Sequence, residues 1–191
     1  MPQPISRSEA KSYSVGAKWV SDHRPECVAA IGLIAISWTR LEDELASMIS
    51  GILGTFGKRP DNGWSINPNW IISTAMQETE TIRARIKVVD AILGKVLETS
   101  GLIGEWNILS KRLYKRARDR NIAIHSVWAW SEHLPEFILK IDKSHEISKW
   151  NESDFINIYK RIHELEIDIH KFIKGVLEQI YEGIITSYVT K

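Results

Sequence analysis

The chain is nearly without cysteine. Among 191 residues only Cys27 is one, so no internal disulfide can form, and no Cys/His spacing resembles a zinc site. A reducing, cytoplasmic setting is the expectation. Long apolar runs are also missing. The longest uncharged apolar stretch runs from Cys27 to Thr39 between Glu26 and Arg40, short of the roughly 20 residues needed to span a bilayer. It reads as a buried helix, with no membrane partner. The first 20 residues hold Arg7, Lys11 and Lys18 among Pro, Ser and Gln, with no apolar segment of the secretory type. Residues 1–20 are therefore expected to be a flexible N-terminal tail. Charge of one sign is lacking too: 25 Lys and Arg against 24 Asp and Glu leave +1, which removes any whole-molecule electrostatic argument for nucleic acid or membrane. No internal repeat or low-complexity tract interrupts the chain. What is present is an ordinary globular balance, 43% apolar and 26% charged, that suits one domain over residues 21–191. Eight tryptophans exceed average usage, and side chains of that size belong in cores and interfaces.

Apolar spacing predicts four long helices. After Pro25, residues Ile31, Ile34, Trp38, Leu41, Leu45, Met48 and Ile52 recur at steps of three and four, and the helix should end between Gly51 and Gly57. Asn67-Pro68 reads as a cap and first turn for a second helix bearing Ile72, Met76, Ile82, Ile86, Val89, Leu93 and Val96, which stops before Ser100-Gly101. A third begins near Gly104 and places Trp106, Leu109, Leu113, Ala117, Arg120 and Ile124 on one stripe, so a guanidinium stands where a hydrophobe is expected. From Val127 to Ile141 the pattern suggests a small β-hairpin or simply extended chain. Asn151 to Asp154 offers caps for a fourth helix carrying Phe155, Tyr159, Ile162, Leu165, Ile169, Phe172, Val176 and Ile180. The expected fold class is all-α, a bundle of four to five helices with a short extended or β-hairpin insertion after the third long helix.

The near-zero net charge conceals a patch. Residues 111–120 read KRLYKRARDR, six basic residues against Asp119, whereas residues 132–168 carry nine acidic and five basic ones. A basic run alone is more often a solvated helix face than a site. The residues that follow add chemistry: Arg120-Asn121-Ile122-Ala123-Ile124-His125. Successive helical residues turn about 100°, so Arg120 and His125 point about 140° apart, while Asn121 and His125 stack one turn apart. One helix alone should splay the pair; a long Arg side chain can bridge part of that arc, but a tighter site would need a second copy of the motif facing the first.

This segment resembles the R-x-x-x-x-H motif of the HEPN (higher eukaryote and prokaryote nucleotide-binding) domains, including the polar residue after Arg and the small apolar run before His. An early helix reading Trp38-Thr-Arg-Leu-Glu-Asp-Glu-Leu45 and a Trp soon after the motif histidine strengthen the likeness. The resemblance implies a HEPN-like helical domain that forms a homodimer with a composite active site, and a metal-independent endoribonuclease without cofactor. In that chemistry the RNA 2′-hydroxyl attacks the adjacent phosphate. Arg120 would hold the phosphate and its growing charge, His125 would act as acid or base, and Asn121 would orient the imidazole or the phosphate. Lys115, Arg116 and Arg118 are the accompanying RNA contacts, and Trp128 is a residue on which a base would stack. A prokaryotic toxin or defence effector, with an antitoxin or regulatory protein as partner, is the implied role. The alternative is a non-catalytic dimeric HEPN-type module binding nucleotide, RNA or a partner protein. One departure is Val127, which stands where some HEPN toxins carry a tyrosine two positions after the histidine.

Weaker signals have bland readings. Trp128 and Trp130 share a face if extended and could stack bases, but packing is the commoner fate. Trp38 and Trp106 should be core, while Trp19, Trp64, Trp70 and Trp150 fall near element ends. His163, Glu166 and His170 share one helix face but look solvated rather than metal-binding. Gly51, Gly54 and Gly57 follow no strand and make an improbable phosphate loop. Cys27 reads as a small buried hydrophobe, and Glu42 is a candidate partner for Arg120.

Overall fold

The computed structural model describes residues 2–53, 74–76, 78–79, 81–98 and 100–181. Its elements in chain order are β1 (Gln3–Ile5), α1 (Arg7–Ala10), β2 (Ser14–Val15), α2 (Ala17–His23), α3 (Pro25–Leu53), α4 (Ile82–Val96), α5 (Ile103–His125), β3 (Val127–Trp130), β4 (Ile138–Ile141), β5 (Ile147–Trp150) and α6 (Glu152–Tyr181). The protein is mostly helical, as the periodicity predicts, but it is not all-α. Five strands form an antiparallel sheet in the order β1-β5-β4-β3-β2.

The expected hairpin exists as β3 and β4, with Val127 opposite Ile141 and Ala129 opposite Leu139. What the sequence pattern does not reveal is that this hairpin gains three more strands. β5 adds to β4 through an Asx turn in which Asp142 Oδ1 accepts from the backbone N–H groups of Ser144 and Glu146, with His145 in the left-handed region at φ 61°. The Ser144 hydroxyl donates to the same oxygen, and this is the main reason the Asp142 carboxyl is held below its ordinary value. The other two strands come from the segment expected to be a loose tail. Gln3 to Ile5 pair with Lys149 to Ile147, and Ser14 and Val15 pair with Trp130 and Ala129. Strands of two or three residues are too short to show alternation, which is why they are illegible until a partner is present.

The chain divides into two compact units, residues 1–38 with 118–163, and residues 39–117 with 164–191. In the first unit, Ala129, Leu139 and Ile147 on one sheet face are buried with Ala10, and Ile5, Leu134 and Ile141 pack around them. On the other face Trp128, Trp150 and Phe155 form an aromatic cluster, with ring centroids 5.2–5.4 Å apart. The start of α6 is fastened by a reciprocal cap: Asn151 Oδ1 accepts the Asp154 N–H, and Asp154 Oδ2 accepts the Asn151 N–H.

In the second unit the Asp90 carboxylate on α4 collects three donors from α5. The Trp106 indole and the Ser110 hydroxyl reach Oδ1 at 3.1 and 2.7 Å, and the Tyr114 hydroxyl reaches Oδ2 at 3.0 Å. Burial, the bond to Asp90 and its charge raise the Tyr114 hydroxyl above its ordinary pKa. Helix α4 starts at the Thr81 side chain, which accepts the Ala84 N–H at 3.1 Å. The single helix expected to carry both Met76 and Ile82 is therefore interrupted before Ile82. Its expected start at Asn67-Pro68 lies outside the described residues, as do Trp64, Trp70, Gly54 and Gly57. Trp38 and Trp106 are buried as expected. Among the described residues no helix is long and apolar enough to cross a membrane.

Candidate functional site

Helix α5 is amphipathic until its last turns, and there its stripe delivers Arg120 where an aliphatic side chain would otherwise sit. The last turn closes through the Ser126 N–H to the Ile122 carbonyl at 3.3 Å. The next carbonyl, that of Ala123, would be an orphan acceptor of the helix end. It is met by the Trp128 indole N–H at 3.0 Å. The first turn of chain after α5 thus ties the helix end to β3.

On this end Arg120, Asn121 and His125 meet. Arg120 Nη1 donates to Asn121 Oδ1 at 3.2 Å and lies 2.9 Å from His125 Nε2. A guanidinium only donates, so Nε2 must present its lone pair and the imidazole proton must sit on Nδ1. The arrangement holds the accepting nitrogen of the imidazole against a guanidinium. Asn121 and His125 are exposed and Arg120 is half-buried. The Arg120 Nε is buried with no hydrogen-bond partner. The partial bridging expected of the arginine side chain is complete: it folds across the arc and closes the contact with His125 within one chain.

Other expected site residues fare differently. Lys115 and Arg118 are exposed on α5. Arg116 is only 7% exposed; it lies on the buried side of the helix, with Leu113 and Ala117, and is not positioned as a surface phosphate contact. Arg112, in the same basic run, is taken up by Asp168 at 2.7 Å. Trp128 is half-buried, hydrogen-bonded to Ala123 and packed edge-on against Trp150 and Phe155. It therefore supports the site from below and is not a free stacking face. Glu42, expected as a candidate partner, is paired with Arg85 at 3.3 Å.

The His163, Glu166 and His170 set is dispersed among other contacts. His163 stacks on Tyr159, Glu166 is 4% exposed and meets Arg40 at 3.0 Å, and His170 Nδ1 lies 3.5 Å from Glu44. Among the described residues no group of three His, Cys, Asp or Glu is arranged to hold a metal ion. Cys27 is fully buried, and burial pushes its thiol up to about 11. It behaves as a small hydrophobe, as expected, and not as a nucleophile.

Sequence reasoning missed two features. The Asp90 hub carried no signal, since an aspartate on a helix reads as surface until three donors are found above it. The stack of Trp19, His23 and Trp130 was half legible, because Trp19 and His23 stand four apart on α2, but Trp130 joins only through the sheet. Comparison of the chain with protein-family models, with curated proteins and with solved structures finds no match.

Proposed function

We propose that the chain is a metal-independent endoribonuclease of the HEPN type, acting without a cofactor through Arg120, Asn121 and His125. The observation that carries this reading is the 2.9 Å contact of Arg120 Nη1 with His125 Nε2 on an exposed helix end, with Asn121 on the same guanidinium nitrogen. A base and an anion receptor in contact supply two of the roles that transesterification of RNA calls on. In the reaction the 2′-oxygen forms a bond to phosphorus and the bond from phosphorus to the 5′-oxygen breaks. The 2′-hydroxyl proton passes to a base, and the departing 5′-oxygen takes up a proton. An arriving phosphate competes for the Arg120 guanidinium and draws it from the imidazole, which frees Nε2 to take the 2′-hydroxyl proton. Asn121 keeps the arginine aligned during this exchange. A second copy of the chain is the proposed source of the second proton transfer: its own His125, in the protonated imidazolium form, gives its proton to the departing 5′-oxygen while the first imidazole takes the 2′-hydroxyl proton. A toxin or defence role, with an antitoxin or regulatory partner, and a cytoplasmic location belong to the same proposal.

The alternative reading is a dimeric module that binds nucleotide, RNA or a partner protein without cleaving it. It is favoured by the fact that Arg120 Nη1 bonds to two side chains of its own helix, as it would in a purely structural contact. Incubation of single-stranded and structured RNA with the purified protein in EDTA separates the two. Cleavage that vanishes in Arg120→Ala and His125→Ala is the expected result. Binding without cleavage supports the module, and cleavage that survives both substitutions removes the mechanism.

A further inference from the structure

Among the described tryptophans only Trp19 is left exposed, with 48% of its surface open. It stands on α2, a seven-residue helix that packs on β3. The His23 ring is stacked on Trp130 with centroids 3.7 Å apart and planes 17° apart, and the Trp19 ring lies 6.0 Å from the His23 ring with planes 19° apart. His23 therefore has near-parallel contacts with both tryptophans, close with Trp130 and offset with Trp19. The imidazole is fixed in that plane by its Nδ1, which donates to the Trp19 carbonyl at 2.9 Å. The contact of His23 with Trp130 already fastens α2 to the sheet. Trp19, beside that contact, leaves about half of its large, flat aromatic surface open to water.

We propose that Trp19, backed by His23 and Trp130, is a stacking platform for an unpaired nucleobase of single-stranded RNA. Aromatic rings accept any base through its π-face, so such a platform selects unpaired RNA over duplex and tolerates sequence. Its position suits that ligand. Trp130 lies on β3, which begins two residues after His125, and Trp130 and Trp128 share one face of that strand, the face whose Trp128 reaches the Ala123 carbonyl. From Val127 to Trp130 the strand advances only about 10 Å, so the residue that backs the platform lies close along the chain to the helix end that carries His125. The nearest charges on α2 and at its end, Lys18 with Asp22 and Arg24 with Glu26, are paired within themselves. The platform therefore contributes stacking and not phosphate attraction.

The platform rests on the RNA reading of the motif, and its test keeps the two apart. Labelled single-stranded RNA and a duplex of equal length are titrated onto the His125→Ala protein, so that nothing is cut, with Trp19 then changed to Ala, Leu or Phe in that background. The expected loss for single-stranded RNA is about fivefold to a hundredfold in both Ala and Leu, the stacking of one base. Phe retains most of the affinity, and duplex binding changes little. Leu preserves bulk without a π-face, so a loss there is not a folding artefact once melting temperatures agree. Unchanged binding in Ala and Leu, a Phe variant as weak as Ala, or an equal loss on duplex overturns the platform while leaving the nuclease reading intact. Absence of single-stranded RNA binding in the His125→Ala parent, together with absence of both binding and cleavage in the wild type, overturns both.

Discussion

Single residues in this protein are set by what their neighbours leave unsatisfied. Trp128 is the example nearest the site: its indole completes the end of α5, where His125 sits. Trp128→Phe keeps the ring but strands the Ala123 carbonyl, a loss of about 1–2 kcal/mol. A lowered melting temperature is expected together with slower RNA cleavage, while the affinity for single-stranded RNA stays near wild type. Cys27 illustrates the opposite case, a group whose chemistry is suppressed. Its thiol has an ordinary pKa of 9.0 and about 11 when folded. The folded state therefore resists ionisation, and its contribution is complete below pH 9 and lost as pH rises from 9 toward 11. Urea unfolding across that range should show stability falling with pH, and Cys27→Ala should flatten the fall. Tyr114, also raised, sustains the part that remains. At this scale the motif triplet was legible in the sequence because its residue types are chemically specific. The closing of Arg120 onto His125 was only partly so: helical angles set the arc and the reach of a long side chain allowed part of it to be bridged, but neither showed that the contact would be complete.

At the scale of elements, α5 shows how far a charge count carries. The run from Lys111 to Arg120 reads as a +5 stripe, yet helical geometry turns Arg116 into the buried side and lets Asp168 neutralise Arg112. Only part of the stripe faces solvent, with Lys115 and Arg118 among it. The two kinds of arginine should separate in measurement. Neutralising Lys115 or Arg118 is expected to weaken RNA binding at low salt and to lower the salt slope by about 0.7 for each phosphate no longer neutralised. Arg116→Ala is expected to lower the melting temperature instead. Equal salt slopes for all three variants would show that none of them meets a phosphate. The long helices were readable because their apolar residues repeat over many turns, and the Asn151 cap was readable from its residue types. β1 and β2 were not, because two or three residues hold no period and their pairing is decided by β5 and β3.

At the scale of the whole molecule, neutrality and the abundance of tryptophan take on meaning only after the chain is folded. Opposite charges are matched in pairs such as Arg40 with Glu166 and Arg85 with Glu42. Of the described tryptophans, Trp38, Trp106 and Trp150 are buried, Trp128 and Trp130 are half-buried, and Trp19 is open. The proposed composite site requires two copies of the chain. Light scattering at micromolar concentration should give about twice the 21.9 kDa of one chain, and a mass of one chain in a protein that still cleaves RNA would show that one motif suffices. The mixed architecture, helices with a five-stranded sheet, could not be read from composition, because a sheet assembled from distant short segments contributes too few residues to shift it.

The central claim is that Arg120 and His125 carry out transesterification of RNA, and the chemistry of the cut ends tests it most directly. RNA digested in EDTA is analysed by mass spectrometry and by its acceptance of new 5′-phosphate. The expected products are a 2′,3′-cyclic phosphate and a free 5′-hydroxyl from the wild type, and intact RNA from His125→Ala. Products bearing a 5′-phosphate, or the same cyclic ends from His125→Ala, would contradict the account.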